Sequence, residues 1–407
     1  MFNFRRFALI VMLLAWSSLL FGAGWLARSR LVPGAGTQVT IHAPEYRLLD
    51  EAWGRVRESF IGDVPSDTVR NYGAIRGMLA TLNDRWTVFV EPQPRAIERD
   101  HLRGQFGGIG VEIRVDEAGR IFLTPYRDSP AERAGVQAGD VLVGVDGVAV
   151  SKDTRFEEVA ARVRGEVGTV VRITVQRGNH TLDFSITRAM IEIPSVNWRI
   201  ITDTIAGDAP VGYIGIRQFT ERTGGEVKRA ISELRDSGSQ AYLIDLRDNT
   251  GGLLASAVEV ASQFLSGGNV LIERKRNQMG GSEVTVTHPV ISGGLALRQP
   301  LSVLVNANTA SASEIVAGAL QDHGRARLVG EKTYGKGSVQ LLFDLSDGSS
   351  VHVTAAKWLT PNARAIDGVG LQPDIEARRA EGEAERGIDS QLERALADLR
   401  AQAAAAR

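Results

Sequence analysis

Cysteine is absent from the 407 residues, which excludes a thiol nucleophile, a disulfide framework and thiolate metal sites. Histidine is scarce. The six, at 42, 101, 180, 288, 323 and 352, show no H-E-x-x-H spacing, so no zinc-hydrolase pattern is present and no metal is expected. Lysine is scarce too, with only Lys152, Lys228, Lys275, Lys332, Lys336 and Lys357 among 47 basic residues. A chain that otherwise uses arginine can keep lysine where an amine must be able to lose its proton. No excess of either charge exists: 47 basic residues face 48 acidic ones, a net charge of -1. That balance argues against a nucleic-acid partner held by bulk charge. What remains is ordinary globular composition, 43% hydrophobic and 23% charged, in a chain too long for one core, so two or three domains are expected.

Arg5 and Arg6 precede Phe7 to Ala27, a run of 21 residues without a charge. At ~1.5 Å per residue it spans about 30 Å, the thickness of a bilayer's hydrocarbon. Residues 1–28 therefore read as a signal anchor, and 29–43, with Pro33, Gly34 and Gly36, as a linker. Phe21-Gly-Ala-Gly-Trp25 is a poor cleavage site. The expectation is an uncleaved transmembrane segment with the bulk of the chain exported, or a secreted protein if the signal is removed.

Residues 44–97 carry apolar positions at helical spacing, among them Leu48, Leu49, Trp53 and Val56, then Ile75, Met78, Leu79 and Leu82. Two helices are predicted. Over 98–188 the pattern changes to short β-rich runs broken by glycine, with one amphipathic helix near Arg155 to Val163. From 189 to 377 strands and helices alternate, which predicts an α/β core with active loops at the carboxyl ends of strands. The final stretch, 378–407, rich in Ala, Glu and Arg, is expected to be a surface helix with a frayed end.

In the β-rich module, Phe106-Gly107-Gly108-Ile109-Gly110 offers backbone N–H groups in a glycine-rich turn before a strand. Such a turn can hold a peptide's terminal carboxylate while the peptide adds to the sheet edge. Downstream stands Ser129-Pro-Ala-Glu-Arg-Ala-Gly-Val-Gln-Ala-Gly-Asp140 and then Val141-Leu-Val-Gly-Val-Asp-Gly147. The two segments in this order resemble a PDZ domain.

Three segments of the α/β part can carry chemistry. Asp245-Leu-Arg-Asp-Asn-Thr-Gly-Gly252 ends a strand, and Gly251 and Gly252 can expose N–H groups to an oxyanion; a tight turn would look the same. Asn306-Ala-Asn-Thr-Ala-Ser-Ala-Ser-Glu-Ile315 passes from strand to helix. There Ser311-x-x-Glu314 fits a capping box, so Ser311 is either a cap or a nucleophile aided by the helix dipole and the Ala312 N–H. Ser313 competes with it. Gly330-Glu-Lys-Thr-Tyr-Gly-Lys-Gly-Ser-Val-Gln340 imitates a phosphate loop, but Gly337 replaces the hydroxyl residue and a strand pattern follows instead of a helix. A rare Lys336 in a glycine-flanked turn remains, and a desolvated lysine can act as general base for a serine.

The last two segments resemble the C-terminal processing peptidases, bacterial and chloroplast serine proteases whose pattern is S-A-S-E-I followed by G-K-G-x-V-Q. Ser311, Lys336 and Gln340 fit its intervals, which favours Ser311 over Ser313. The resemblance takes in Asp84-Arg-Trp-Thr87 (the family's D-P-Y-T), the PDZ module, Asp245-Leu-Arg247, Gly368-Val-Gly-Leu-Gln-Pro-Asp374 and Gly387-Ile-Asp-Ser-Gln-Leu392. Thr250 departs from the family's usual Pro or Gly. The resemblance, which covers nearly everything after residue 44, implies an α/β protease core of mixed sheet and flanking helices with an inserted PDZ domain; with the N-terminal run as membrane anchor, the catalytic part is expected outside the cytoplasm at a bacterial cell membrane. It implies an endopeptidase cutting exported proteins near their carboxy termini. Ser311 would attack, Lys336 would accept its proton, Gln340 would orient Lys336, and N–H groups of Ala312 and of Gly251 or Gly252 would hold the oxyanion. No cofactor is implied. Partners would be protein or peptide substrates with free carboxy termini, with a homo-oligomer left open. A triad through His323 is the rival within enzymes, although Gln321-Asp-His-Gly324 reads better as a helix end. A PDZ adaptor on an inactive protease scaffold is the rival outside them.

Overall fold

The computed structural model describes residues 46–116, 118–152, 154–202, 210–277, 281–380, 382–383 and 386–405. The expected anchor over Phe7 to Ala27 and the linker 29–43 lie outside them. Among the described residues no helix is long and apolar enough to cross a membrane. The chain divides into two units, residues 1–70 and 71–407. In the first, helix α1 (Arg47–Ser59) has the expected apolar stripe, yet none of its residues is buried. Helix α2 (Asp67–Ala80) carries the boundary.

The second unit continues with β1 (Val88–Val90) and α3 (Pro92–Arg103), which stops at Gly104 in the left-handed conformation. The β-rich module then comprises β2 (Gln105–Gly108), β3 (Val111–Val115), β4 (Ile121–Pro125), α4 (Pro130–Ala134), β5 (Asp140–Val145), β6 (Val148–Ala149), α5 (Phe156–Val163), β7 (Val170–Arg177), β8 (His180–Thr187) and β9 (Ala189–Glu192). Its main sheet has the order β3-β4-β5-β7-β8. Alternate residues of these strands, such as Ile121 and Leu123 or Val171, Ile173 and Val175, close a core of their own with Val159 and Val163 of α5. Period-two alternation puts them on one face.

The α/β part runs β10 (Val196–Ile201), β11 (Val211–Ile216), α6 (Thr223–Asp236), β12 (Ala241–Asp245), α7 (Leu254–Ala261), β13 (Asn269–Arg276), β14 (Glu283–Pro289), β15 (Leu301–Val305), α8 (Ala312–Asp322), β16 (Arg327–Gly330), β17 (Ser338–Asp344), β18 (Ser350–Leu359), β19 (Ile375–Glu376) and α9 (Ser390–Ala405). Strands β11, β12, β15, β16 and β19 are parallel neighbours in that order, with β10 antiparallel at one edge. Strands β12 and β15 are buried along their whole length, as a parallel sheet covered on both faces requires. One face, with Ile244, Val303 and Leu328, packs on α7 and α8. A second, antiparallel sheet contains β1, β18, β13 and β14, with β17 paired to β18.

Two expectations are corrected here. Helix α9 is not a surface helix: Ala395, Leu396 and Leu399 are buried against Leu243, Leu304 and Val329 on the other sheet face. The stripe Leu392, Ala395, Leu396, Leu399 has the i, i+3, i+4, i+7 spacing of a buried face, masked by the surrounding Ala, Glu and Arg. Nor is Phe106-Gly107-Gly108 a turn. These residues lie in β2, paired antiparallel with β9 at Ile191, Met190 and Ala189.

Candidate active site

Strands β12, β15 and β16 are adjacent and parallel, so the loops leaving their carboxyl ends, 246–253, 306–311 and 331–337, gather at one end of the sheet. These are the three segments singled out from the sequence. A cavity of about 330 Å³ there is lined by Ser311, Ala312, Lys336, Gln340 and Gly252, with Trp86, Leu254, Ile315 and Trp358 supplying apolar wall.

Ser311 precedes α8 with φ 56° and ψ -117°. A residue that merely caps a helix takes the extended region, whereas a serine held at positive φ stores ~1–3 kcal/mol of strain. Its N–H donates to Glu314 Oε2 at 2.9 Å. The neighbouring turn comes very close: a Cβ on Gly251, itself at φ 106°, would lie 2.8 Å from Ser311 Cβ and 3.0 Å from Ala312 N. Only glycine fits that approach. Ser313, by contrast, is fully buried and donates its hydroxyl to the Asn249 carbonyl at 2.9 Å. It stitches two loops together and does not line the cavity.

Asn249, also fully buried, is a strut that sequence reading passes over. Its Nδ2 donates to the Ile216 carbonyl at 2.8 Å, its Oδ1 accepts the Gly251 N–H at 2.9 Å, and its carbonyl accepts the Ala310 N–H at 3.0 Å. The Gly251 N–H is therefore already engaged. Asp245 and Arg247 prove structural: Arg247 pairs with Asp245 at 2.7 Å and with Asp389 at 2.8 Å, tying the β12 loop to the start of α9.

Lys336 is held by its backbone. Its N–H donates to Glu314 Oε2 at 2.9 Å, and its carbonyl accepts the buried Trp358 indole N–H at 3.0 Å. Gly337 allows the close approach, since a Cβ there would lie 2.7 Å from Asp367 Cβ. The Lys336 amine sits 4.4 Å from the centroid of the Trp86 ring. Burial pushes it below the ordinary lysine value, the Arg85 charge pushes the same way, and Glu98 opposes them. A carboxylate that belonged to the capping-box reading emerges as the hub of the site. Glu314, fully buried, accepts the N–H groups of Ser311 and Lys336 on Oε2, and the Thr333 hydroxyl and Gly335 N–H on Oε1 at 2.5 and 2.7 Å. Gln340 stands where the register of β17 and β18 shifts, and such irregularities re-aim side chains. Its amide donates to Ser338 Oγ at 2.8 Å. His323 lies at the end of α8 and donates to the Asn269 carbonyl at 2.8 Å.

A serine at strained φ, an amine in a desolvated setting and a wall of apolar side chains, beside a separate β-rich module, define a serine-type peptidase with a PDZ domain. The model of peptidase family S41 matches residues 210–377, and that of a PDZ domain residues 121–177. A carboxy-terminal-processing protease of Bartonella bacilliformis is 35% identical over 344 residues, 83% of this chain and 76% of that protein. A carboxyl-terminal-processing protease of Synechocystis sp. is 36% identical over 326 residues, 79% of this chain and 74% of that protein. Among solved structures, a photosystem II D1 C-terminal processing protease shares 33% identity over 80% of this chain and 87% of its own, with a TM-score of 0.47. The chain belongs to the carboxyl-terminal-processing protease family, and proteins or peptides are its substrates.

Proposed function

We propose that this enzyme cuts exported proteins near their carboxy termini by a Ser–Lys mechanism. The observation that carries this is the strained Ser311 sharing one cavity with an amine that burial and Arg85 push toward its neutral form. Ser311 Oγ attacks the scissile carbonyl while Lys336 Nζ takes its proton, and the acyl-enzyme forms as Lys336 returns that proton to the leaving amine. Gln340, on the same cavity wall, orients the lysine. The oxyanion is held by the N–H of Ala312 at the start of α8, favoured by the helix dipole, and by the N–H of Gly252. The commitment of Gly251 to Asn249 favours Gly252 for this role.

The PDZ domain, over 98–188, takes the substrate's terminal carboxylate. Strand β3 ends its sheet with one side unpaired, so a peptide can extend the sheet there. The β2–β9 pairing leaves Ile109 and Gly110 as the turn for the carboxylate, with Phe106, Gly107 and Gly108 as its support. Residues 44–97 and 189–377 form the protease, 378–407 its helical tail, and Phe7 to Ala27 tether it to the membrane with the catalytic part outside the cytoplasm. Cleavage of a peptide with a free carboxy terminus, by the wild type and by Ser311→Ala, tests the reading. Turnover by Ser311→Ala at the wild-type rate would overturn it.

A further inference from the structure

Two cations share one aromatic ring beside the reacting groups. Lys336 Nζ lies 4.4 Å from the Trp86 centroid, and the Arg85 guanidinium carbon lies 4.6 Å from the same point. Trp86 is fixed in this position. Asp84 accepts the Trp86 N–H at 3.2 Å and the Thr87 hydroxyl at 2.6 Å, and Thr87 Oγ1 accepts the Thr354 N–H of β18 at 3.1 Å. The ring also meets Tyr334 edge-on at 6.4 Å. The Asp84 carboxylate is spent on this turn.

An indole face attracts an ammonium group and favours its charged form. For a general base that preference is harmful, because the charged amine cannot accept a proton. A guanidinium on the same ring counters it, being permanently charged and in competition for the ring. The other ionisable groups around the lysine act differently. Glu98 of α3 lines the cavity but is drawn toward Arg95 at 2.9 Å and His352 of β18 at 3.2 Å. Glu314 of α8 is occupied by main-chain donors, and Asp367 accepts the Gly337 N–H at 3.1 Å. Arg85 is in no ion pair of its own among the described residues.

We propose that Arg85 is a positioning residue for the Lys336 amine: its fixed charge, held on the shared indole, keeps that amine unprotonated and extends proteolysis to lower pH. The inference rests on Lys336 being the general base. The two centroid distances laid end to end put the charges at most about 9 Å apart, close enough for direct repulsion to disfavour the charged amine. Arg85 is exposed, so solvent and salt weaken that repulsion without removing it.

The test is the pH dependence of kcat/KM on a peptide with a free carboxy terminus, for the full chain and its Arg85→Gln, Arg85→Lys and Lys336→Arg variants. Arg85→Gln is expected to move the rising limb to higher pH, with an about three- to tenfold loss below the limb and the high-pH plateau kept. Arg85→Lys restores the wild-type limb, and the difference shrinks in ~1 M salt, where screening reaches about 3 Å. A wild-type limb that Arg85→Gln leaves in place overturns this inference alone. So does a lowered plateau with an unmoved midpoint. Wild-type turnover by Lys336→Arg would instead remove the base assignment, and this inference with it.

Discussion

Replacing Glu314 by glutamine is the sharpest test of how the site is assembled. The change is nearly isosteric and removes one acceptor oxygen. Each carboxylate oxygen accepts two donors: Ser311 N–H and Lys336 N–H on one, Thr333 hydroxyl and Gly335 N–H on the other. Whichever way the amide lies, its NH₂ faces two donors it cannot satisfy. A hydrogen bond to a charged group contributes about 1.5–3 kcal/mol, so the variant loses about 3–6 kcal/mol locally. Set against a total stability of about 5–15 kcal/mol, that is enough to free one loop without unfolding the chain. Freed, the lysine loop no longer keeps register with Ser311, and a misplacement of ~1 Å costs about 10²-fold in rate. Glu314→Gln should thus lose about two orders of magnitude in kcat. Amide hydrogen exchange should quicken at 311 and 336 or at 335, and the melting temperature should fall. A kcat within threefold of wild type, with unchanged exchange at all three amides, would refute the hub.

Ser311→Ala should abolish turnover, while Ser313→Ala keeps a measurable rate and loses about 1 kcal/mol of stability, measured by denaturant titration, with its bond to Asn249. Lys336→Arg should lose at least ~10²-fold in kcat, because a guanidinium cannot accept the serine proton. With the amine below its ordinary value, wild-type kcat/KM should rise with pH through one ionisation beneath the usual lysine range. Leu396→Ala should cost about 2–5 kcal/mol in denaturant titration and leave KM unchanged, since α9 packs on the sheet face away from α7 and α8. A peptide with an amidated carboxy terminus should bind the full chain more weakly than its free-acid twin in a calorimetric titration.

The three candidate segments were legible because each is short, and their gathering at one cavity follows from adjacent parallel strands. The intervals from Ser311 to Lys336 and on to Gln340 carried meaning through the family resemblance, and the lone lysine in a glycine-flanked turn through local sequence. Glu314 was only half legible: S-x-x-E predicts a cap, but its contacts with Thr333, Gly335 and Lys336 depend on β16 lying beside β15. Asn249 has little local signal, for its bonds reach Ile216, Ala310 and Ser313 as well as its neighbour Gly251. The β13–β14 hairpin was unread where charged residues crowd Glu273 to Arg276. Helix α9 failed differently. Its composition is that of a surface helix, and burial of one narrow stripe decided its place.

The capping-box reading of Ser311 and its proposed role as nucleophile look like rivals, but the geometry lets one device serve both. A helix start needs partners for its first N–H groups, and Ser311 and Glu314 form the two halves of a capping box here. Glu314 takes the Ser311 N–H, which pins the serine backbone at a φ that an unsupported L-residue avoids. The same carboxylate holds Gly335 and Lys336, so the strain at the proposed nucleophile and the placement of the proposed base have a common anchor. That anchor is buried in the first turn of α8, in contact with the main-chain groups it orders and away from the cavity. Substrate can then enter without competing for the hydrogen bonds that keep Ser311 and Lys336 in register.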